Sequence, residues 1–343
     1  MKLLKCIISI SIALSLNTYA TTLGDGLTVM NKGEYEKAKK IFRPLSQKDN
    51  SVAMYWLAYT QLKTSETISA GDSLLKSANS GNPWAMGVLA GSELEGVERT
   101  YCSFLSWPCE ERWADLAIEG WRKLAEKGDG KAMYALLKYD KKWWQYVPIY
   151  KYFRYGELAE EIYLGKGYSF FFDDEYWSKS NESLRIKYME KIARSGFLLA
   201  AYNLAYLYQE KGDFDKALNW FNYGVQKNDY YSLKGKALSV IYINRDKDIG
   251  SDQSKKSTKA YFYCRAAKEI YSNHDCKLSN YFEHEVDKHG ELIYFDEYSA
   301  ELVTLKDIKE IEREAKEKVD GSSTNLYLDE TTVEFFKGFR KNI

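Results

Sequence analysis

Four groups of side chains in this 343-residue sequence have types and spacings that could do chemistry. Gly71-Asp72-Ser73-Leu74 is a block able to present a nucleophilic serine. Such a serine needs a base to take its proton, usually a histidine with an aspartate three residues before it. The residues three before His274, His284 and His289 are Tyr271, Tyr281 and Val286, so the base is missing and Ser73 reads as part of a helix. His284, Glu285 and His289 have the residue types of a zinc-binding helix. Zinc needs the two histidines four apart on one helical face. Here they are five apart, and a charged surface is expected instead. Asp173, Asp174 and Glu175 form an acidic run short enough to read as solvated.

The fourth group is the cysteines. Cys6 falls in the leader described below, which leaves Cys102, Cys109, Cys264 and Cys276. In an oxidising compartment such cysteines pair. Four allow three connectivities, of which sequence proximity favours Cys102–Cys109 with Cys264–Cys276. The rival is a metal site, because His274 lies between Cys264 and Cys276, but there is no C-x-x-C to support it. No phosphate-cradling glycine loop, dinucleotide fingerprint or G-x-S-x-G is present. The sequence therefore leads us to expect no catalytic residue, no cofactor and no metal.

Those readings depend on the compartment and on the elements that hold the residues. Residues 1–20 carry Lys2 and Lys5, an apolar run from Cys6 to Leu16, and a small-residue site at Thr18-Tyr19-Ala20. This is the pattern of a secretory signal peptide. The run is too short for a membrane span, which takes about 20 apolar residues. The expected location is periplasmic or secreted, with no stable membrane insertion. The whole chain has 49 basic and 49 acidic residues; without Lys2 and Lys5 the formal charge is −2. That balance argues against a nucleic-acid partner, which would call for a basic excess.

The elements follow from repetition. Ala78, Gly81, Ala85 and Leu89 share the pattern A-x2-G-x3-A-x3-L with Ala125, Gly128, Ala132 and Leu136, and with Ala193, Gly196, Ala200 and Leu204. Degenerate copies sit at Ser46, Asp49, Ala53 and Leu57, and around Val225, Asn228 and Ser232. The markers 49, 81, 128, 196 and 228 are separated by 32, 47, 68 and 32 residues, so the base period is near 32, with two expanded units. A second motif, KGEYEKA at 32–38 and KGDFDKA at 211–217, places glycine in a turn and acidic residues at a helix start. These spacings predict helices at 22–31, 34–47, 51–62, 66–79, 83–94, 111–126, 130–139, 181–194, 198–210, 213–227, 230–243 and 257–272.

On these motifs the chain resembles the tetratricopeptide-like repeat family, and within it the Sel-one-like repeat branch, over about residues 22–272. The loop with two spaced glycines typical of that branch is missing. The resemblance implies an all-α, right-handed superhelical array of antiparallel helix pairs, here at 21–272. Residues 273–343 are then a C-terminal helical cap or extension, with a helix at 304–319 and an apolar segment holding Val333, Phe335, Phe336 and Phe339. Capping the open end and binding a partner separately are the two readings of that region.

The expected inserts, 95–110, 140–180 and 244–256, all fall between the two helices of a pair, which places them on one edge of the array. From Tyr139 to Trp177 there are fifteen aromatic residues. They include Trp143, Trp144, Tyr146, Tyr150, Tyr152, Phe153, Phe170, Phe171, Phe172 and Trp177. Two readings stand: an elaborated core, or a recognition surface for a protein partner. The resemblance implies a non-enzymatic exported protein that holds its partner on the concave face and the inserted edge. One concrete version is an immunity protein that sequesters a periplasm-delivered toxin, such as a phospholipase-like effector of type VI secretion. The alternatives are an envelope-assembly or host-interaction scaffold, or a glycan-binding or glycan-active protein.

Overall fold

The computed structural model describes residues 22–94, 99–242, 256–277, 280–286, 292–296, 302–322, 325–333 and 335. The expected signal peptide 1–20, most of the 244–256 insert, and Phe336 and Phe339 lie outside these residues. The first helices are α1 (Leu23–Asn31), α2 (Tyr35–Ser46), α3 (Ser51–Lys63), α4 (Thr67–Asn79) and α5 (Pro83–Leu89). A short α6 (Arg99–Ser103) precedes α7 (Arg112–Ala125), α8 (Gly130–Tyr139) and α9 (Pro148–Leu164). The array continues through α10 (Glu182–Arg194), α11 (Leu199–Glu210), α12 (Phe214–Gln226), α13 (Tyr230–Tyr242) and α14 (Lys256–Ile270). Most successive helices pack as neighbours, and α1–α14 form an all-α repeat array.

The repeat pattern has a direct backbone cause. Gly81, Gly128 and Gly196 adopt φ of +86°, +85° and +105°, the left-handed conformation that ends a helix. The degenerate markers do the same: Asp49 has φ 56° and Asn228 has φ 54°. Asp and Asn are the side chains that tolerate this region best. At four of the five markers the next residue then caps the following helix. Asn50, Asn82 and Asp129 accept from the amides of Ala53, Ala85 and Ala132, and Asp229 from that of Ser232. Two adjacent residues thus stop one helix and start the next. Five of the six alanines of the pattern, Ala78, Ala85, Ala132, Ala193 and Ala200, are buried where helices approach closely, and Ala125 is half-buried. Asp49 is exposed, so Asp49→Gly should relieve backbone strain without losing a contact. A gain of about 0.5 kcal/mol is expected in urea unfolding, because the relief of ~1 kcal/mol is partly offset by the freer unfolded glycine.

The array closes on itself. The Ser272 amide donates to the Lys32 carbonyl at 3.2 Å, Asn273 Nδ2 donates to the Gly33 carbonyl at 3.1 Å, and the Tyr35 and Tyr271 hydroxyls meet at 3.1 Å. The turn of the first helix pair therefore touches the segment that follows α14.

The insert 140–180 is not a loop. It builds α9 and short 3-10 turns at Trp143–Tyr146, Tyr168–Phe172 and Asp174–Tyr176. The C-terminal end of α9 meets the start of α8 backbone to backbone: the Gly130 amide donates to the Gly165 carbonyl at 2.8 Å. A Cβ on Gly130 would run into the carbonyl oxygen of Ile162 and the amide of Gly167.

Beyond α14 the chain forms a three-stranded antiparallel sheet in the order β1 (Phe282–Val286), β2 (Leu292–Asp296), β3 (Leu302–Val303). The helix α15 (Leu305–Val319) follows, capped by Thr304 with Asp307, and packs on α14. His284 lies in β1, so the helical spacing test applied to it has no bearing. Short aromatic runs such as Leu292–Asp296 suit a strand, but nothing in the repeat announced them. After α15 the chain turns back at Gly321, φ +69°, and residues 325–333 and 335 enter the middle of the array without regular secondary structure.

Candidate binding surface

Of the residues expected to carry chemistry, Ser73 lies within α4, buried, and donates to Gln61 Oε1 at 2.7 Å. Both expected disulfides are present, Cys102–Cys109 and Cys264–Cys276, with Cα separations of 5.7 and 5.9 Å. Bridged sulfurs are not thiolate ligands, so the metal reading of Cys264, His274 and Cys276 falls. His274 stands beside the second bridge, its Nδ1 3.2 Å from the Tyr230 hydroxyl. Burial, helped by Lys234, pushes the imidazole down to about 4. The acidic run is not simply solvated. Asp173 is buried and accepts from the Tyr134 hydroxyl at 2.6 Å and from Lys138 at 2.7 Å, whereas Asp174 and Glu175 are exposed. Among the described residues no group of His, Cys, Asp and Glu converges in a way that could hold a metal ion. Nor is any described helix long and apolar enough to cross a membrane.

The ten aromatic residues proposed as one surface divide into two sets. Phe170, Phe171, Phe172 and Trp177 are core, not interface: each is at most 8% exposed. Their rings stack among themselves and on Tyr188 and Phe197, and Trp177 Nε1 donates to the Phe170 carbonyl at 3.0 Å. They bond the insert to α10. Trp144 and Tyr152 are half-buried against Tyr155. Trp143, Tyr146, Tyr150 and Phe153 remain exposed, at 71, 71, 45 and 66%.

The reason lies in α9. Tyr155, Ala159 and Ile162 recur at four and three residues and face the core. The first two turns carry Ile149, Tyr150, Tyr152 and Phe153 on more than one side, interrupted only by Lys151 and Arg154, and only one side can be buried. Ile149 and Phe153, four apart, are left in solvent, and Trp143 from the preceding turn stacks on Tyr150 at 5.6 Å. Ile149, at 87% the most exposed large apolar residue in the patch, and Val147 escaped an aromatic-based reading. The only signal for them is their place at the start of α9. Beside the patch runs a groove of about 690 Å³ lined by Pro148, Ile149, Tyr152, Phe153, Gly156 and Asn181.

The charge around the patch is mainly basic, although Glu157 lines the groove. Between 140 and 154 there are four basic residues (Lys141, Lys142, Lys151, Arg154) and one acidic residue, Asp140. Asp140 is already engaged, by Arg122 and Lys142 at 2.8 Å each. Burial works against its carboxylate, but hydrogen bonds from those two cations outweigh it and hold its pKa below the ordinary value. Arg154 pairs with Glu157. An apolar centre with a mainly basic rim is thus presented to solvent.

The other expected surface, the concave face, is already occupied. Residues 325–335 lie against the first helices of several pairs. Asn31 of α1 donates to the Asn325 carbonyl at 2.6 Å, Lys131 of α8 pairs with Glu330 at 2.5 Å, and Tyr327 packs on Tyr231 of α13. Phe335 is fully buried among Tyr55, Tyr59, Tyr101 and Trp107, at ring-centre distances of 5.3–6.1 Å. Burial pushes the neighbouring Asp329 carboxyl up to about 6, against the pull of Lys131. A carboxyl raised in the folded state above its unfolded value near 3.8 favours the fold fully below pH 4, and that contribution is lost as pH rises through 6. Asp329→Asn keeps the acceptor that serves Thr331 and Thr332. It should raise the unfolding free energy by about 2 kcal/mol at pH 7.5 and by little at pH 4, read from urea midpoints at the two pH values.

No protein-family model matches the chain, and no curated protein sequence matches it.

Proposed function

We propose that this protein is an exported, non-enzymatic member of the Sel-one-like repeat branch that captures a protein partner on the patch formed by Trp143, Tyr146, Ile149, Tyr150 and Phe153. The observation that carries this reading is the joint exposure of Trp143 and Tyr146 on the 3-10 turn and of Ile149, Tyr150 and Phe153 on the first turns of α9, beside an apolar groove. Large apolar side chains held in solvent on a rigid element mark an interaction site rather than a core. The basic rim favours a partner whose matching surface is apolar at the centre and acidic around it. The version we favour is an immunity protein, with a periplasm-delivered toxin as the partner and sequestration as the mechanism. Two disulfides accord with export.

The test uses the mature chain and the product of a toxin gene adjacent to its own. A one-to-one complex that protects cells is expected. Phe153→Ala and Ile149→Ala should each weaken it about thirtyfold, as hot-spot truncations do, while leaving thermal unfolding within about 1 °C, since surface changes are nearly neutral. Undiminished binding by both variants would refute the patch. Absence of any complex or protection would refute the immunity version. A second reading rests on Trp143, stacked on Tyr150 and 71% exposed, which is a platform on which a sugar ring could stack. Saturable quenching of Trp fluorescence by envelope glycan fragments, lost in Trp143→Ala, would favour it.

A further inference from the structure

The segment 325–335 behaves toward the rest of the chain as a bound peptide. Its described residues have no regular secondary structure of their own, and their contacts come from elements far apart in sequence. Many are polar and directional rather than mere packing. The Glu330 carboxylate meets Lys131, Thr331 Oγ1 donates to Ser169 Oγ at 2.7 Å, and Asn325 Nδ2 donates to Asp229 Oδ1 at 3.3 Å. The four-ring cage around Phe335 supplies the apolar anchor. A second observation is independent of the fit. Asn31 Oδ1 and the Tyr55 hydroxyl are buried in this same face, on side chains 3% and 0% exposed, and make no hydrogen bond among the described residues. Buried polar atoms normally have partners. The segment in place therefore leaves part of the lining's hydrogen-bonding capacity unused.

We propose that the inner face of the array is a binding site for an extended peptide segment of a protein partner, and that the chain's own residues 325–335 fill it as a built-in competitor. The occupant defines the pattern the site accepts: an acidic residue to meet Lys131, followed five positions later by an aromatic ring for the cage. A partner segment with that pattern and an added hydrogen-bond donor near Asn31 gains the face by displacing the tail. This site is distinct from the α9 patch and stands or falls separately from it.

The experiment keeps the full chain. A specific protease site replaces residues 323–324, and the protein is folded, then cut. The probe is a fluorescent synthetic peptide of residues 325–335, with a second carrying Phe335→Ala and a third carrying Glu330→Ala. The uncut chain should take up none of them, because a tethered competitor acts at a high effective concentration. The cut chain should exchange its tail for the labelled peptide while keeping its helical circular dichroism. The Phe335→Ala peptide should bind at least about a hundredfold more weakly, and the Glu330→Ala peptide about tenfold more weakly. Three results overturn the proposal: unfolding on cutting, which makes the tail an inseparable part of the core; retention of the tail against excess peptide; or equal binding of all three peptides.

Discussion

Phe335→Ala will lower the unfolding free energy by about 3–5 kcal/mol, the range for deleting a fully buried aromatic ring. The ring is 0% exposed and touches two residues of α3 and two of the region around the first disulfide. Those groups come from different elements, but Trp107 is also held to α4 through the Thr67 carbonyl and stacks on Tyr101, so the cage keeps its shape when the ring is removed. Truncation leaves a cavity lined by three or four rigid rings, which relax poorly, so the upper part of the range is expected. The measurement is urea unfolding followed by circular dichroism. Phe104→Ala is the control: it removes the same ring from a side chain 83% exposed and should shift stability by less than about 0.5 kcal/mol. A loss under 1 kcal/mol for Phe335→Ala would mean that the tail does not hold the middle of the array together.

The second large effect has a sign that helix propensity alone predicts wrongly. In an isolated helix, replacing glycine by alanine is favourable by up to about 1 kcal/mol. Gly156→Ala, on α9, should follow that rule, because its new Cβ would meet only Leu184, in ordinary contact at 3.7 Å. Gly130→Ala should do the opposite and cost about 3 kcal/mol. Its Cβ would collide with backbone atoms of Ile162, Gly165 and Gly167, which cannot turn aside as a side chain tip can. The start of α8 and the end of α9 would have to separate, breaking the bond from the Gly130 amide to the Gly165 carbonyl. Paired urea titrations of the two variants test both signs; a neutral Gly130→Ala would mean that the two helix ends have room to part.

Both effects bear on how much of this protein is legible in its sequence. The array was legible because its instructions are local. A marker in the left-handed conformation followed by a capping residue stops and starts helices within two positions, and this holds even where Asp49 and Asn228 replace glycine. Every helix expected from the repeat is present within a few residues at its ends, save the one expected at 83–94, where α5 stops at Leu89. The two disulfides were legible for the same reason, since each joins cysteines only 7 or 12 residues apart. The helix α9 was not, because it is an addition to the period, and its first turns lack the one-sided apolar stripe that marks a buried helix.

What the tertiary structure alone decided is which apolar residues are seen by solvent. Fifteen aromatic residues in one insert are alike to composition. Phe170–Phe172 are buried because α8 and α10 close over them, whereas Phe153 is exposed because the start of α9 extends past anything that could cover it. The fate of the concave face was equally hidden. Nothing local in residues 325–335 says that Glu330 will reach Lys131, 199 positions earlier, or that Phe335 will enter a cage built from α3 and the Cys102–Cys109 loop. Pairings of that range depend on the array first curving back until its ends touch. Curvature is the sum of many small packing angles, so no single motif records it.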